Sequence, residues 1–425
     1  MSTIALLTGF SLAFLSALIL TPVMSRLALR LKWVDVPDGK RTMHRRPTPR
    51  AGGVAIFVAF MMGIAYFQML RSDLLATFGF ELYIPSIPFL LGAFAMALTG
   101  LYDDAYGLGF KKKFFFQLLV GYLMFVAGFR VQVTSIPLLG DDPYIQASLA
   151  LPLTLLWYLA VINAVNLIDG LDGLAGGITL IAFGSLALVF SALGDLRFLP
   201  IALVVAGSIA GFLVHNFSPA TIFMGDSGSL FLGFMLATYT LTGTSHTNPI
   251  MALIIPIMAV GFPLLDTSVA FIRRILKGQS PFAPDKDHIH HRLIEKFKMS
   301  VPGAVMLLYV LNATLGLMAI MLVIVDARYF AVIVGVAALM LGVLLHKLGY
   351  LRVRQGARLL KQLIKTKLGR QVPRGQWENG EEKPRLETDD SWRTDPMFWR
   401  KPIVLPRDVA RPPQQTAPKK ALSED

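Results

Sequence analysis

Asn163-Ala-Val-Asn-Leu-Ile-Asp-Gly-Leu-Asp172 lies at the end of one very apolar run, 149–165, and just before another, 174–192. Each run is close to the roughly 20 residues that cross a bilayer as a helix. Between them, Asn163, Asn166, Asp169 and Asp172 recur at every third position. On a helix or in a tight turn that spacing puts all four on one face. Two amides and two carboxylates in a stripe, at the mouth of apolar helices, are costly to bury. The stripe reads as a site for a nucleotide and a hard metal ion.

The apolar pattern extends in both directions. Of 425 residues, 54% are hydrophobic and only 16% charged, and the mean hydropathy is +0.59. Eleven segments could span a membrane, near 4–23, 51–70, 85–101, 114–130, 149–165, 174–192, 196–215, 228–243, 250–271, 301–325 and 328–346. The expected fold is therefore an all-α, polytopic integral membrane protein with about 11 transmembrane helices. The absence of cysteine removes disulfides, thiol nucleophiles and thiolate metal sites together.

Charge placement sets the expected orientation. Thirty-six of the 40 Lys and Arg residues fall in 24–50, 102–113, 273–300 and the stretch after 346; the other face has Arg71, Arg130, Arg197 and Arg328. Such a split is a positive-inside signal. It makes these loops and the C-terminus cytoplasmic and the N-terminus periplasmic. It also explains the net charge of +13 without nucleic acid. The first segment reads as a retained helix, since basic residues follow it and none precedes it. The expected division is a transmembrane domain, 1–346, and a tail, 347–425: basic and juxtamembrane at first, then largely disordered.

Polar residues unusual for a membrane protein cluster on the same expected face. Loop 24–50 carries Arg45 and Arg50 and leads into Gly52-Gly53, an anion site if a helix starts there. Asp103-Asp104 ends one segment, and Lys111-Lys112-Lys113 opens the next. Adjacent carboxylates raise each other's pKa unless a cation sits between them, and can hold Mg²⁺ or take a proton. His215-Asn216 precedes Phe223-Met-Gly-Asp-Ser-Gly-Ser229, where Asp226 reads as a metal ligand between glycines or as a helix cap. His288-Ile-His-His291 reads as a zinc site or, better, with Arg292, as donors to a phosphate or sugar. Asp266 lies about 10 Å inside the ninth segment by helix rise, where a buried, paired structural group is one of two open readings. A secondary transporter would instead place its acids near the midplane, between paired repeats.

Four of these motifs, in order and in register, resemble the polyprenyl-phosphate N-acetylhexosamine-1-phosphate transferases, glycosyltransferase family 4. They are Asp103-Asp104, the Asn-x-x-Asn-x-x-Asp-Gly-x-Asp-Gly run at 163–173, Met-Gly-Asp-Ser-Gly-Ser at 224–229 and His-Ile-His-His. The histidine run is similar to that of the WecA-like branch. The resemblance covers roughly 1–346. It implies transfer of GlcNAc-1-phosphate from UDP-GlcNAc to undecaprenyl phosphate, releasing UMP, as the first membrane step of O-antigen or related surface-glycan synthesis. Another UDP-N-acetylhexosamine, or UDP-MurNAc-pentapeptide, is the alternative donor. The implied setting is the bacterial cytoplasmic (inner) membrane, with the site facing the cytoplasm and a homodimer as the assembly.

The resemblance also implies residue roles. Asp226 and Asn166 would hold Mg²⁺, or Mn²⁺ in its place. Asn163, Asp169, Asp172, Asn216 and Phe223 would serve the nucleotide, and Lys113 a phosphate. Asp103 and Asp104 would serve the lipid phosphate, one of them as a base. His288, His290, His291, Arg45 and Arg50 would line the phosphate and sugar side.

Overall fold

The computed structural model describes residues 3–36, 47–70, 86–132, 143–242, 249–276, 278–280 and 287–350. Arg45 and the tail from 351 onward lie outside them.

Every expected apolar segment coincides with a helix. In chain order these are α1 (Thr3–Leu31), α2 (Gly52–Leu70), α3 (Ile87–Tyr106), α4 (Phe110–Val126), α5 (Pro143–Ile168), α6 (Leu174–Ala192), α7 (Leu199–Asn216) and α8 (Gly225–Thr242). There follow α9 (Pro249–Ala259), α10 (Gly261–Leu276), the short α11 (Ile289–Glu295), α12 (Val301–Ile324) and α13 (Phe330–Lys347). A two-stranded antiparallel pair, Val34–Asp35 with Thr48–Pro49, precedes α2. The protein is an all-α, multi-pass membrane protein. Among the described residues, seven helices are long and apolar enough to cross a membrane, or eight if the bent pair α9–α10 is one span. Helices α3, α4 and α8 fall outside that group. Their ends carry Asp103-Asp104, Lys111 to Lys113 and Gly225-Asp-Ser-Gly-Ser229, the polar residues from which the site is built.

One expected helix is two. The segment 250–271 breaks after Ala259, and its halves are bent by 84°. Pro263 has no N–H to offer the Ala259 carbonyl four residues back, so the helix cannot continue unbroken. Asn312 of α12 accepts from the freed Phe262 N–H at 3.4 Å. A milder case occurs in α1, where Pro22 leaves the Leu18 carbonyl without its helical donor. His215 Nε2 supplies one from α7 at 3.1 Å.

α8 is the bundle's centre. Nearly every residue from Gly225 to Thr240 is buried, as expected for a helix packed on all sides, and α2, α3, α5 and α6 contact it. Polar contacts fix its register against α5. Trp157 Nε1 donates to Ala237 O at 3.2 Å, and Tyr158 Oη to Thr238 Oγ1 at 3.2 Å. Such inter-helix bonds replace the hydrophobic force that lipid cannot provide.

Two helix hairpins, α6–α7 and α12–α13, turn through the same device. Asp195 and Asp326 each accept the backbone N–H two residues on, at 3.2 and 2.9 Å, and each pairs with that residue's guanidinium, Arg197 or Arg328. Two of the few basic residues on the sparsely basic face are thus neutralised within their own turns.

Candidate active site

The site forms where α8 begins. Phe223 N–H donates to Pro49 O at 2.8 Å. Gly52 N–H and Gly53 N–H return to Phe223 O and Met224 O at 3.0 and 2.8 Å. The segment 49–53 therefore lies against the approach to α8 as an added strand. Asp104, at the end of α3, accepts Asp226 N–H at 2.8 Å on one oxygen and Ser227 N–H at 2.9 Å on the other. This carboxylate caps α8 from another helix, satisfying two amides that no helix bonds internally.

The backbones here are in contact. A Cβ on Gly53 would strike the Gly228 backbone, and one on Gly100 the Asp226 and Ser227 backbone. Gly100→Ala must push α3 away from α8 and carry Asp104 with it. We expect a loss of about 1–3 kcal/mol in stability, the scale of overpacking, and of about a hundredfold in turnover, the scale of a 1 Å misplacement. Thermal unfolding and turnover of the purified variant check both.

Around Asp226 the charged groups converge. Lys113 Nζ, in the first turn of α4, bridges the Asp226 and Asp103 carboxylates. Asp103 also accepts Leu108 N–H, closing the α3–α4 turn that brings Lys113 back. Asn166 Nδ2 donates to Asp226 Oδ1 at 2.9 Å and to Ser229 Oγ at 2.8 Å. Asp169 follows α5 in the loop and retains some exposed surface. Burial first, then the charges of Asp226 and Asp104, push its carboxyl well above the usual carboxylate range. Arg50 acts the other way on Asp169; it is half-exposed, 3.9 Å from Asp35.

The α5–α6 and α7–α8 loops latch to each other. Asn216 Oδ1 accepts Gly173 N–H at 3.0 Å, and its Nδ2 donates to Ile222 O at 2.9 Å. Asp172 Oδ2 accepts Ala220 N–H at 3.0 Å, and Tyr309 Oη donates to Gly173 O at 2.5 Å.

The histidine run forms α11 and the residue before it. Asp266, 1% exposed in α10, accepts Ile289 N–H at 2.7 Å and pairs with His288 Nδ1 at 3.0 Å. His290 Nδ1 lies 3.7 Å from the same carboxylate. The far side of the His290 ring covers Gly170, where a Cβ would sit 3.0 Å from Nε2. His291 packs on His290 with ring centroids 4.4 Å apart. The run thus meets the loop between α5 and α6 at Gly170, between Asp169 and Asp172.

Residues 86–244, which bear Asp103, Asp104, Lys113, Asn166, Asp169, Asp172, Asn216 and Asp226, match the model of glycosyl transferase family 4. A probable undecaprenyl-phosphate N-acetylglucosaminyl 1-phosphate transferase of Bacillus subtilis is 38% identical over 319 residues, 75% of this chain and 85% of its own length. The chain belongs to glycosyl transferase family 4. The transferase is also 38% identical to a decaprenyl-phosphate N-acetylglucosaminephosphotransferase of Mycolicibacterium smegmatis, over 73% of this chain and 80% of the relative. To the undecaprenyl-phosphate alpha-N-acetylglucosaminyl 1-phosphate transferase of Escherichia coli it is 28% identical, over 63% and 71%.

Several of the expected site residues are engaged within the fold. Asn163 turns away from Asp226: its Nδ2 donates to Gln117 Oε1 at 2.7 Å and to Leu159 O at 2.8 Å. Asn166 presents its amide nitrogen to Asp226 and Ser229 and so orients that carboxylate. Asn216 spends both amide atoms on the loop latch. Asp104 spends both oxygens on α8. His288 is held by Asp266, which is the buried, paired group, and Arg292 is taken up by the Asp287 carboxylate and the Leu348 carbonyl. Phe223 is half-buried and engaged through its backbone.

The Gln117–Asn163 pair gives a test of this assignment. Asn163→Leu leaves the buried Gln117 amide unpaired and is expected to cost about 1–3 kcal/mol. Adding Gln117→Leu should restore most of the unfolding temperature and leave turnover near that of the parent protein.

The donors at hand suit a hard divalent cation. Among the described residues, no three His, Asp or Glu side chains group as a metal cluster. Asp103, Asp104, Asp169 and Asp226 nevertheless outnumber Lys113 and Arg50. Mg²⁺ is commonly held by one or two carboxylates plus substrate phosphates, and Asp226, with the neighbouring carboxylates, fits that habit.

Proposed function

We propose that this chain transfers N-acetylglucosamine-1-phosphate from UDP-GlcNAc to undecaprenyl phosphate, releasing UMP and leaving undecaprenyl-diphospho-GlcNAc. The observation that carries the reading is the convergence of Lys113, Asp103, Asn166 and Asp169 on Asp226 at the mouth of the bundle. The names of the relatives support the same donor and lipid class; decaprenyl phosphate, named for the mycobacterial relatives, is the second acceptor to try.

Asp226 would hold Mg²⁺ (or Mn²⁺), its carboxylate aimed by Asn166. An ion held there would supply positive charge against the negative charge that develops during transfer. Lys113 would meet a phosphate with its ammonium, and Arg50 would draw the anionic donor toward Asp169. Phe223 and Asp172 would flank the uridine, with His290 and His291 toward the sugar phosphate. The lipid phosphate oxygen attacks the β-phosphorus in line; that O–P bond forms as the bond to UMP breaks. A phosphomonoester has a second pKa of about 6, so the acceptor is already mostly dianionic and needs little help from a base such as Asp103. Inversion at a chiral β-phosphorus is the expected outcome; retention would establish a covalent aspartyl intermediate instead.

The charge split favours a site facing the cytoplasm, an N-terminus on the opposite face, and the bacterial inner membrane as its place. The pathway served is synthesis of O-antigen or a related surface glycan. Mass spectrometry of the lipid product tests the transfer: a lipid carrying one diphosphate-linked N-acetylhexosamine is expected, and an unmodified lipid would overturn it.

A further inference from the structure

The described chain ends just past α13, at Leu348-Gly-Tyr350, and this stretch is fastened to the histidine helix. Arg292 Nη1 and Lys296 Nζ both donate to the buried Leu348 carbonyl, at 2.8 and 3.2 Å. The Arg292 guanidinium lies over the Tyr350 ring at 3.9 Å, and that of Arg273 at 5.4 Å. Tyr350 Oη donates to Asp287 O at 2.6 Å, an oxygen that also accepts from Arg273 Nη1 at 2.6 Å. The Asp287 carboxylate grips Arg292 through Nε and Nη2, at 2.5 and 2.6 Å.

α11 has only seven residues, too few to hold a helix unaided. Its position must come from outside. Asp266 fixes its first turn from α10. The other anchor is the Tyr350 clamp, which grips Asp287, directly before His288, and Arg292, in the next turn. From there the chain of contacts runs through His290 to Gly170, between Asp169 and Asp172. Tyr350 itself touches none of those residues, so it acts through α11.

We propose that Tyr350 is a positioning residue for the donor side of the site. It locks α11 in the register that sets His290 against Gly170, with His291 packed on the His290 ring. The role assigned to the donor side rests on the function proposed above; the clamp itself does not. The root of the C-terminal tail thereby sets the position of α11 without itself lining the site.

The test compares full-length wild type, Tyr350→Phe and Tyr350→Ala. Tyr350→Ala removes both the ring and the hydroxyl and should raise the KM for UDP-GlcNAc about tenfold, with kcat and the KM for undecaprenyl phosphate within about twofold. Tyr350→Phe keeps the stacked ring between the arginines and should recover most of that loss. Backbone amide exchange over 287–295 should quicken in Tyr350→Ala and stay slow elsewhere. Equal losses against both substrates, or unchanged donor KM and unchanged exchange, would overturn the assignment. If wild type releases no UMP, the proposed function fails, and the exchange comparison alone still decides whether Tyr350 holds α11.

Discussion

Asp226→Asn is expected to lower turnover by about a thousandfold, the scale lost with one charge-stabilising group in phosphoryl transfer, while the protein still folds. The asparagine keeps the shape of the side chain and its place at the start of α8. Asp104 still caps the helix through backbone amides, and Lys113 keeps Asp103 as a partner. What disappears is one negative charge at the point where Lys113, Asn166 and the surplus carboxylates converge. UMP release from variant and wild type at equal loading, with unfolding temperatures measured in parallel, reads the effect. Activity within tenfold of wild type would remove Asp226 from the centre of the site.

Lys113→Met should act in two directions at once. The ammonium bridges Asp103 and Asp226, so its loss leaves two carboxylates together without a cation between them. Turnover should fall by about a hundredfold, since a charge that would meet the phosphate is gone. The Mg²⁺ concentration for half-maximal activity should nevertheless decrease, because a positive charge beside the metal-binding carboxylate has been removed. Lys113→Arg should recover part of the turnover. A higher Mg²⁺ requirement in Lys113→Met would show that Lys113 helps the ion instead of competing with it.

Most of the fold is legible in the sequence, because unbroken apolar runs of spanning length have few alternatives to helices. The break after Ala259 was also legible: Pro263 removes a helix donor, and the apolarity of 250–271 hid it. The site is harder to read because spacing gives a face and not a partner. Asn163 and Asn166 lie three residues apart on α5, yet one meets Gln117 and the other Asp226. Gln117 carried a usable signal, a polar residue one turn beyond Lys113 in an apolar segment. Asp103 and Asp104 look like one unit in the sequence. Adjacent helical residues point about 100° apart, so one turns to Lys113 and the other to the α8 amides. The match of Asp266 to the histidines, and the Tyr350 clamp, join residues far apart in the chain, which no local pattern reports.

UMP release is the sharpest test of a metal-dependent sugar-phosphate transfer at Asp226. Purified protein would be given undecaprenyl phosphate and Mg²⁺, with UDP-GlcNAc, UDP-GalNAc and UDP-MurNAc-pentapeptide in separate reactions and Asp226→Ala as control. The account predicts UMP from UDP-GlcNAc alone, dependent on both lipid and metal, and lost in the control. Release with a different donor would keep the chemistry and overturn the substrate. No release with any donor, or release undiminished by Asp226→Ala, would contradict the account.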